Sequence, residues 1–133
     1  MHASPGVIAR LYPNGYNLRM NIIQRTAVFA DWLEKLSDVR GKARIVARIA
    51  AASVGNFGDC APVGQGVSEM RIDFGPGYRV YFMREGPIVY LLLCAGDKSS
   101  QKADIARAHT LAGKVRTAAA PAGAVVRRKV KKG

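Results

Sequence analysis

Arg71, Arg79, Tyr81 and Lys98 are the polar positions of a stretch that runs from Gly55 to Gly96 and on into Asp97-Lys-Ser-Ser-Gln-Lys-Ala-Asp-Ile. Their types point to phosphate chemistry. An arginine offers a planar fork that matches phosphate oxygens two at a time, and a lysine adds a cation whose pKa responds to its surroundings. Cutting RNA without a metal asks for three operations: the 2′-OH loses its proton, the crowded phosphate is neutralised, and the leaving 5′-oxygen gains a proton. Arg71 and Arg79 are candidates for the phosphate, Lys98 for neutralisation or proton transfer, and Glu69 or Asp73 for the base. Tyr81 is a candidate to stack on a nucleobase or orient the phosphate. The same residues also read as an exposed sheet face of paired charges, Asp73 with Arg79 and Tyr81 over Arg71. Alternation alone leaves both readings open.

Other chemistries find no footing. His2 lies near the N-terminus, and His109 reads as a surface residue late in a helix, with no acid placed beside it in sequence. Cys60 and Cys94 form neither a disulfide framework nor a metal spacing, and Cys94 reads as a small core residue. The glycines of 55–66 lack the spacing and the following helix of a phosphate-cradling loop. No Ser-His-Asp set is present, and neither metal nor cofactor is expected.

The elements that must position these residues follow from periodicity. Residues 22–28 read as a first strand, and Phe29 to Leu36 as a short helix with Trp32, Leu33 and Leu36 on its apolar face. Ser37-Asp38 caps a second helix, Val39 to Ser53. There Val46, Ile49 and Ala50 are expected inward, and Arg40, Arg44 and Arg48 on the opposite side. Like charges at that spacing cost a few tenths of a kcal/mol each, so the stripe reads either as a partner surface, RNA included, or as a solvated face. Residues 55–66 read as loop. Val67 to Phe74 alternates, with Met70, Ile72 and Phe74 on one face and Glu69, Arg71 and Asp73 on the other. Gly75-Pro76-Gly77 is a turn, and the return strand sends Tyr78, Val80 and Phe82 inward. Pairing Phe74 with Tyr78 would set Asp73 against Arg79 and Arg71 against Tyr81. Ile88 to Cys94, apolar on both sides, is a covered central strand. A last helix runs from Gln101 to about Lys114. The order β-α-α-β-β-β-α predicts an α+β domain, its small, mostly antiparallel sheet carrying helices on one face.

A chain of 133 residues is one domain with a modest core. Residues 1–19 read as a flexible extension upstream of a start at Met20, 20–115 as the folded domain, and 116–133 as a basic disordered tail. Of the net +12, +6 lies in 116–133 and +2 in 1–19, which leaves +4 for 20–115. The excess predicts polyanion partners, while the tail alone serves equally well as a solubility device. Ile88 to Ala95, the longest apolar run, is too short to cross a bilayer, and the N-terminus does not read as a secretory signal. No membrane association and a cytoplasmic location are expected.

The segments Gly55-Asn-Phe-Gly-Asp, Val63-Gly-Gln-Gly-Val-Ser-Glu-Met-Arg-Ile, Phe74-Gly-Pro-Gly-Tyr-Arg-Val-Tyr-Phe and Gly96-Asp-Lys-Ser-Ser-Gln-Lys-Ala-Asp-Ile resemble the addiction-module killer proteins, HigB-type toxins of the RelE/ParE superfamily in type II toxin–antitoxin systems. The likeness covers about residues 20–113, including Phe29-Ala-Asp-Trp-Leu. It implies a RelE/ParE-like fold with two N-terminal helices packed across the sheet. It also implies a helix-turn-helix, HigA-like antitoxin, with operator DNA met only through the antitoxin complex. The activity implied is ribosome-dependent cleavage of mRNA. By position, Arg79 matches the return-strand arginine of RelE-like nucleases, Arg71 a basic residue on the preceding strand, and Lys98 the basic residue after the glycine that ends the last strand. Glu69 stands where RelE has a second lysine, and Asp104 where it has a tyrosine. A ParE-like poison of DNA gyrase shares the fold without needing catalytic residues, and an inert nucleic-acid-binding remnant is a third reading.

Overall fold

The computed structural model describes residues 20–119, so the extension expected at 1–19 and the tail beyond 119 lie outside the described residues. Ile22–Arg25 (β1) is followed by helices Ala27–Lys35 (α1) and Val39–Ser53 (α2). Four strands come next: Cys60–Gly64 (β2), Val67–Ile72 (β3), Tyr78–Arg84 (β4) and Val89–Asp97 (β5). A single 3-10 turn, Lys98–Ser100, leads into Gln101–Ala119 (α3). The fold is α+β, with a five-stranded mixed sheet in the order β1-β5-β4-β3-β2, in which only β1 runs parallel to its neighbour.

Caps set the helix starts. The Thr26 hydroxyl accepts from Phe29 N at 3.0 Å and donates to Leu93 O at 2.6 Å. It thereby satisfies an orphan helix donor and ties α1 to the sheet, which is why β1 stops at Arg25 instead of running to residue 28. Asp38 caps α2, accepting from Gly41 N at 3.0 Å.

Residues on alternate sides of β3 and β4 feed two separate cores. One joins Phe29, Leu33, Ile45 and Ile49 to Met70, Ile72, Val80 and Phe82; the other joins Val67, Tyr81 and Met83 to Leu93, Ala108 and Ala112 of α3. Alternation along a strand sends neighbours to opposite faces. The helices therefore cover both faces of the sheet, and the face expected to be open lies under α3. A bulge between Tyr81 and Phe82, opposite β5, helps fill that second core: Tyr81 pairs with Cys94 and Phe82 with Leu92, and Leu93 joins Cys94 in it.

Four further expectations are corrected. The inward side of α2 is Gly41, Ile45, Ile49 and Ala52, while Val46 is 49% exposed and Ala50 is exposed. Residues 60–64, expected as loop, pair with β3 through a two-residue turn at Gln65-Gly66, where both φ angles are positive (54° and 74°) as such hairpin turns require. The β3–β4 register is displaced by two residues: Ile72 pairs with Tyr78, and Phe74 folds back so that its N bonds Ile72 O and its O accepts Gly77 N. A two-residue displacement preserves the faces but changes every partner. Finally, α3 continues to Ala119, so residues 116–119, assigned to the tail, belong to the helix. Among the described residues no helix is long and apolar enough to cross a membrane.

Candidate functional site

Register brings the candidate residues into two rows on the face covered by α3. Arg71 pairs with Arg79, and Arg79 with Gly96; in the next row Glu69 pairs with Tyr81, and Tyr81 with Cys94. A Cβ at Gly96 would collide with the Asp104 carboxylate and stand 2.7 Å from Ser100 Oγ. The absent side chain lets the first turn of α3 lie against β5. Asp97 opens that turn by accepting from Ser99 N at 2.8 Å, and Ser100 Oγ donates to Asp104 Oδ2 at 2.5 Å. The hydrogen bonds from Ser99 hold the Asp97 carboxyl below its ordinary pKa.

Glu69 is at the centre and is 0% exposed. Its Oε1 accepts from Arg71 Nε at 3.1 Å and lies 3.9 Å from Arg79 Nε. Its Oε2 accepts from Tyr81 Oη at 2.9 Å and from Gln101 Nε2 at 2.7 Å. Burial by itself raises a carboxyl pKa; here donation from Gln101, Tyr81 and Arg71 outweighs it, and the Glu69 pKa is lowered. Tyr81 moves the other way, raised first by burial and then by its bond to Glu69.

The two arginines differ. Arg71 is 41% exposed and also reaches Asp59, with Nη1 3.5 Å from Oδ1. Arg79 is only 11% exposed; its Nη1 donates to the carbonyls of Gly77 and Tyr78 at 3.4 and 3.3 Å, and its buried Nε has no hydrogen-bond partner. Lys98 is exposed and sits beside Arg79 at the β3–β4 turn. A Cβ placed on Gly77, whose φ is 82°, would lie 3.5 Å from Lys98 Cβ and 3.6 Å from Arg79 Nη1. Arg71, Arg79 and Lys98 therefore gather at one end of the sheet.

The remaining candidates fall elsewhere. Tyr81, with a fully buried ring and an engaged hydroxyl, has no face free to stack on a nucleobase. Glu69 cannot meet a substrate hydroxyl, because both its oxygens are enclosed and taken by protein donors. Asp73 is exposed beyond the end of β3, and Arg71, not Asp73, stands opposite Arg79. The arginine stripe is divided: Arg40 is exposed, Arg44 lies over the Phe74 ring at 4.8 Å, and Arg48 donates to the carbonyls of Arg71 at 2.6 Å, Phe57 at 2.9 Å and Asp59 at 3.3 Å. Arg48 thus braces the chain entering β2 and leaving β3. His109 is half-buried, with Nε2 2.9 Å from Val63 O, and Arg116 donates to Gln65 O; together they fasten the β2–β3 hairpin to α3.

Gln101 and Asp104 were missed as contributors. Ser100 and Asp104 carry a readable i,i+4 signal on the helix opening, whereas nothing in the spacing links Gln101 to Glu69, 32 residues away. Cys60 and Cys94 are free, and burial pushes the Cys94 thiol up to about 11. Among the described residues no group of three or more His, Cys, Asp or Glu could hold a metal ion.

No protein-family model matches the chain. It is similar to an uncharacterized protein of Haemophilus influenzae, 49% identical over 90 residues, a match that spans 68% of this chain and 91% of the relative.

Proposed function

We propose that this chain, which belongs to one family with the Haemophilus influenzae protein, is the toxin of a type II toxin–antitoxin system, HigB-like within the RelE/ParE superfamily, a reading that rests on the residues below and not on that relative. It arrests translation by cleaving mRNA on the ribosome, and a helix-turn-helix, HigA-like antitoxin neutralises it. The observation that carries this reading is the Arg71–Arg79 pair on neighbouring strands with Lys98 beside it. Three cations at one sheet end are what a phosphodiester needs when a second negative charge develops in the transition state. The resemblance of residues 20–113 supports the RelE/ParE topology and the ribosomal target.

In this mechanism the 2′-OH attacks in line. Arg71, the more exposed arginine, and Arg79 stabilise the phosphorane-like oxygens, and Lys98 neutralises or protonates the leaving 5′-oxygen. Of the two carboxylates expected as base, only Asp73 is exposed.

A ParE-like gyrase poison is the second reading. The observation favouring it is that Glu69 is satisfied within the fold and Arg79 is nearly covered, so the cluster also serves as internal scaffolding. Expression of residues 20–133 from a tight promoter, with the 5′ ends of cellular mRNA mapped within minutes, separates the two. New ends in translated regions, lost in Arg79→Ala and Lys98→Ala, are expected. Growth arrest with intact mRNA and a DNA-damage response, unchanged in both variants, would replace the nuclease with the gyrase reading.

A further inference from the structure

The two oxygens of Glu69 have different tasks. Oε1 faces both arginines: Arg71 donates to it through Nε, the guanidinium nitrogen nearest the backbone, while Arg79 Nε lies 3.9 Å away, close enough for charge attraction without a hydrogen bond. Oε2 is turned away from them and held by Tyr81 and Gln101. A carboxylate held at one oxygen has a fixed plane, and a guanidinium bound at Nε keeps Nη groups for other partners. The formal charges of Glu69, Arg71 and Arg79 leave one positive charge, the complement of a single phosphodiester. The Asp59 contact to Arg71 Nη1, at 3.5 Å with the Asp59 side chain 64% exposed, is of the weak kind that a phosphate displaces readily.

We propose that Gln101 and Glu69 are positioning residues: the neutral amide of Gln101, carried in by the first turn of α3, locks the Glu69 carboxylate so that Arg71 and Arg79 present their outer nitrogens to one phosphodiester of single-stranded RNA. This rests on the RNA reading above. The amide is the side chain that suits the position. A lysine there would compete with the arginines for Glu69, a carboxylate would cancel the surplus charge, and an alkyl group would leave Oε2 one donor short in a buried place.

The isosteric change Gln101→Glu tests this with a readout that loss of packing would not produce. Two carboxylates sharing a buried site raise the pKa of one of them. Above that pKa the variant lacks both the donor and the surplus charge; below it, the protonated carboxyl at position 101 donates to Glu69 as the amide does. The charged and titratable groups around the pair are Arg71 from β3, Asp59 ahead of β2, Arg79 and Tyr81 from β4, and Asp97, Lys98 and Asp104 at the β5–α3 junction.

The probe is a 2′-O-methyl RNA oligonucleotide, which cannot be cleaved, bound by the full chain between pH 5 and 8, with the Arg71 Nε–Hε NMR signal followed in parallel. At neutral pH, Gln101→Glu is expected to bind about tenfold more weakly, as loss of a hydrogen bond to a charged group implies. It should regain affinity relative to the parent on acidification, with the Arg71 signal shifting along the same curve. Gln101→Leu, which keeps the volume without any donor, should be weakened at every pH. Parent-like affinity and an unmoved Arg71 signal in both variants would overturn the proposal. A pH-linked Arg71 shift in Gln101→Glu, with no RNA bound by the parent at any pH, would leave Gln101 as the positioning residue and remove the RNA reading instead.

Discussion

Glu69 is where residue-scale physics decides most. An ionised carboxylate with no exposure is tolerable because Arg71, Tyr81 and Gln101 supply donors and Arg79 supplies further charge. Glu69→Leu would leave Arg79 buried without its counter-charge, and we expect a loss of about 3 kcal/mol in urea-induced unfolding. Because the Glu69 pKa is lowered in the folded chain, its contribution is present above the ordinary carboxyl range and fades as pH falls through the folded value. Glu69→Gln should therefore flatten the acid limb of the stability profile, read as the thermal midpoint between pH 3 and 6. On the opposite face of the sheet, at the start of β4, Tyr78 donates to Asp38 at 2.6 Å, and that bond, with burial, pushes its hydroxyl up to about 12. The stabilisation is complete below pH 10 and is lost as pH rises toward 12, so Tyr78→Phe should remove the alkaline part of the curve measured over that range.

At the scale of elements, α2 and β2 show how packing overrides pattern. Apolar side chains on α2 spread well beyond the side opposite its arginines, and sequence spacing has no way to choose between Val46 with Ala50 and Ile45 with Ala52. The sheet chooses, because Gly41 fits between Tyr78 and Asp38, where a Cβ would approach the Tyr78 ring to 2.5 Å. Ile45→Ala should cost about 2–4 kcal/mol and Val46→Ala about 0.5 kcal/mol or less in chemical denaturation. Cys60–Gly64, with Pro62 and no alternation, becomes a strand only because β3 offers it a ladder, and an edge strand admits a proline. At the other edge of the site, Gly96→Ala would drive the first turn of α3 off β5. We expect about 1–3 kcal/mol of destabilisation, together with loss of the Arg71 Nε–Hε signal as Gln101 withdraws from Glu69.

For the whole molecule, charge is distributed unevenly. Arg127, Arg128, Lys129, Lys131 and Lys132 stand beyond the described residues without an accompanying acid. If all five meet RNA phosphates, removing 120–133 should lower the slope of log affinity against log salt by about 3.5 for a single strand. An unchanged slope in a salt titration of the truncated chain would restrict RNA contact to the folded domain. The described part has two helices on one side of the sheet and one on the other, and the single long element on the second side both encloses Glu69 and braces the β2–β3 hairpin through His109 and Arg116.

Local pattern sufficed for what depends on neighbours along the chain: the α+β class, the span of α2 and its Asp38 cap, the β3–turn–β4 hairpin and the covered β5. Tertiary structure alone decided that both faces of the sheet were covered, which residue faced which across β3 and β4, and what each charged group met. The reason is physical. Alternation reports that a face is distinct but not what will cover it, and a two-residue change of register keeps every face while exchanging every partner. Glu69 could therefore be read as a solvent-facing base until α3, from 32 residues away, delivered Gln101 and closed over it.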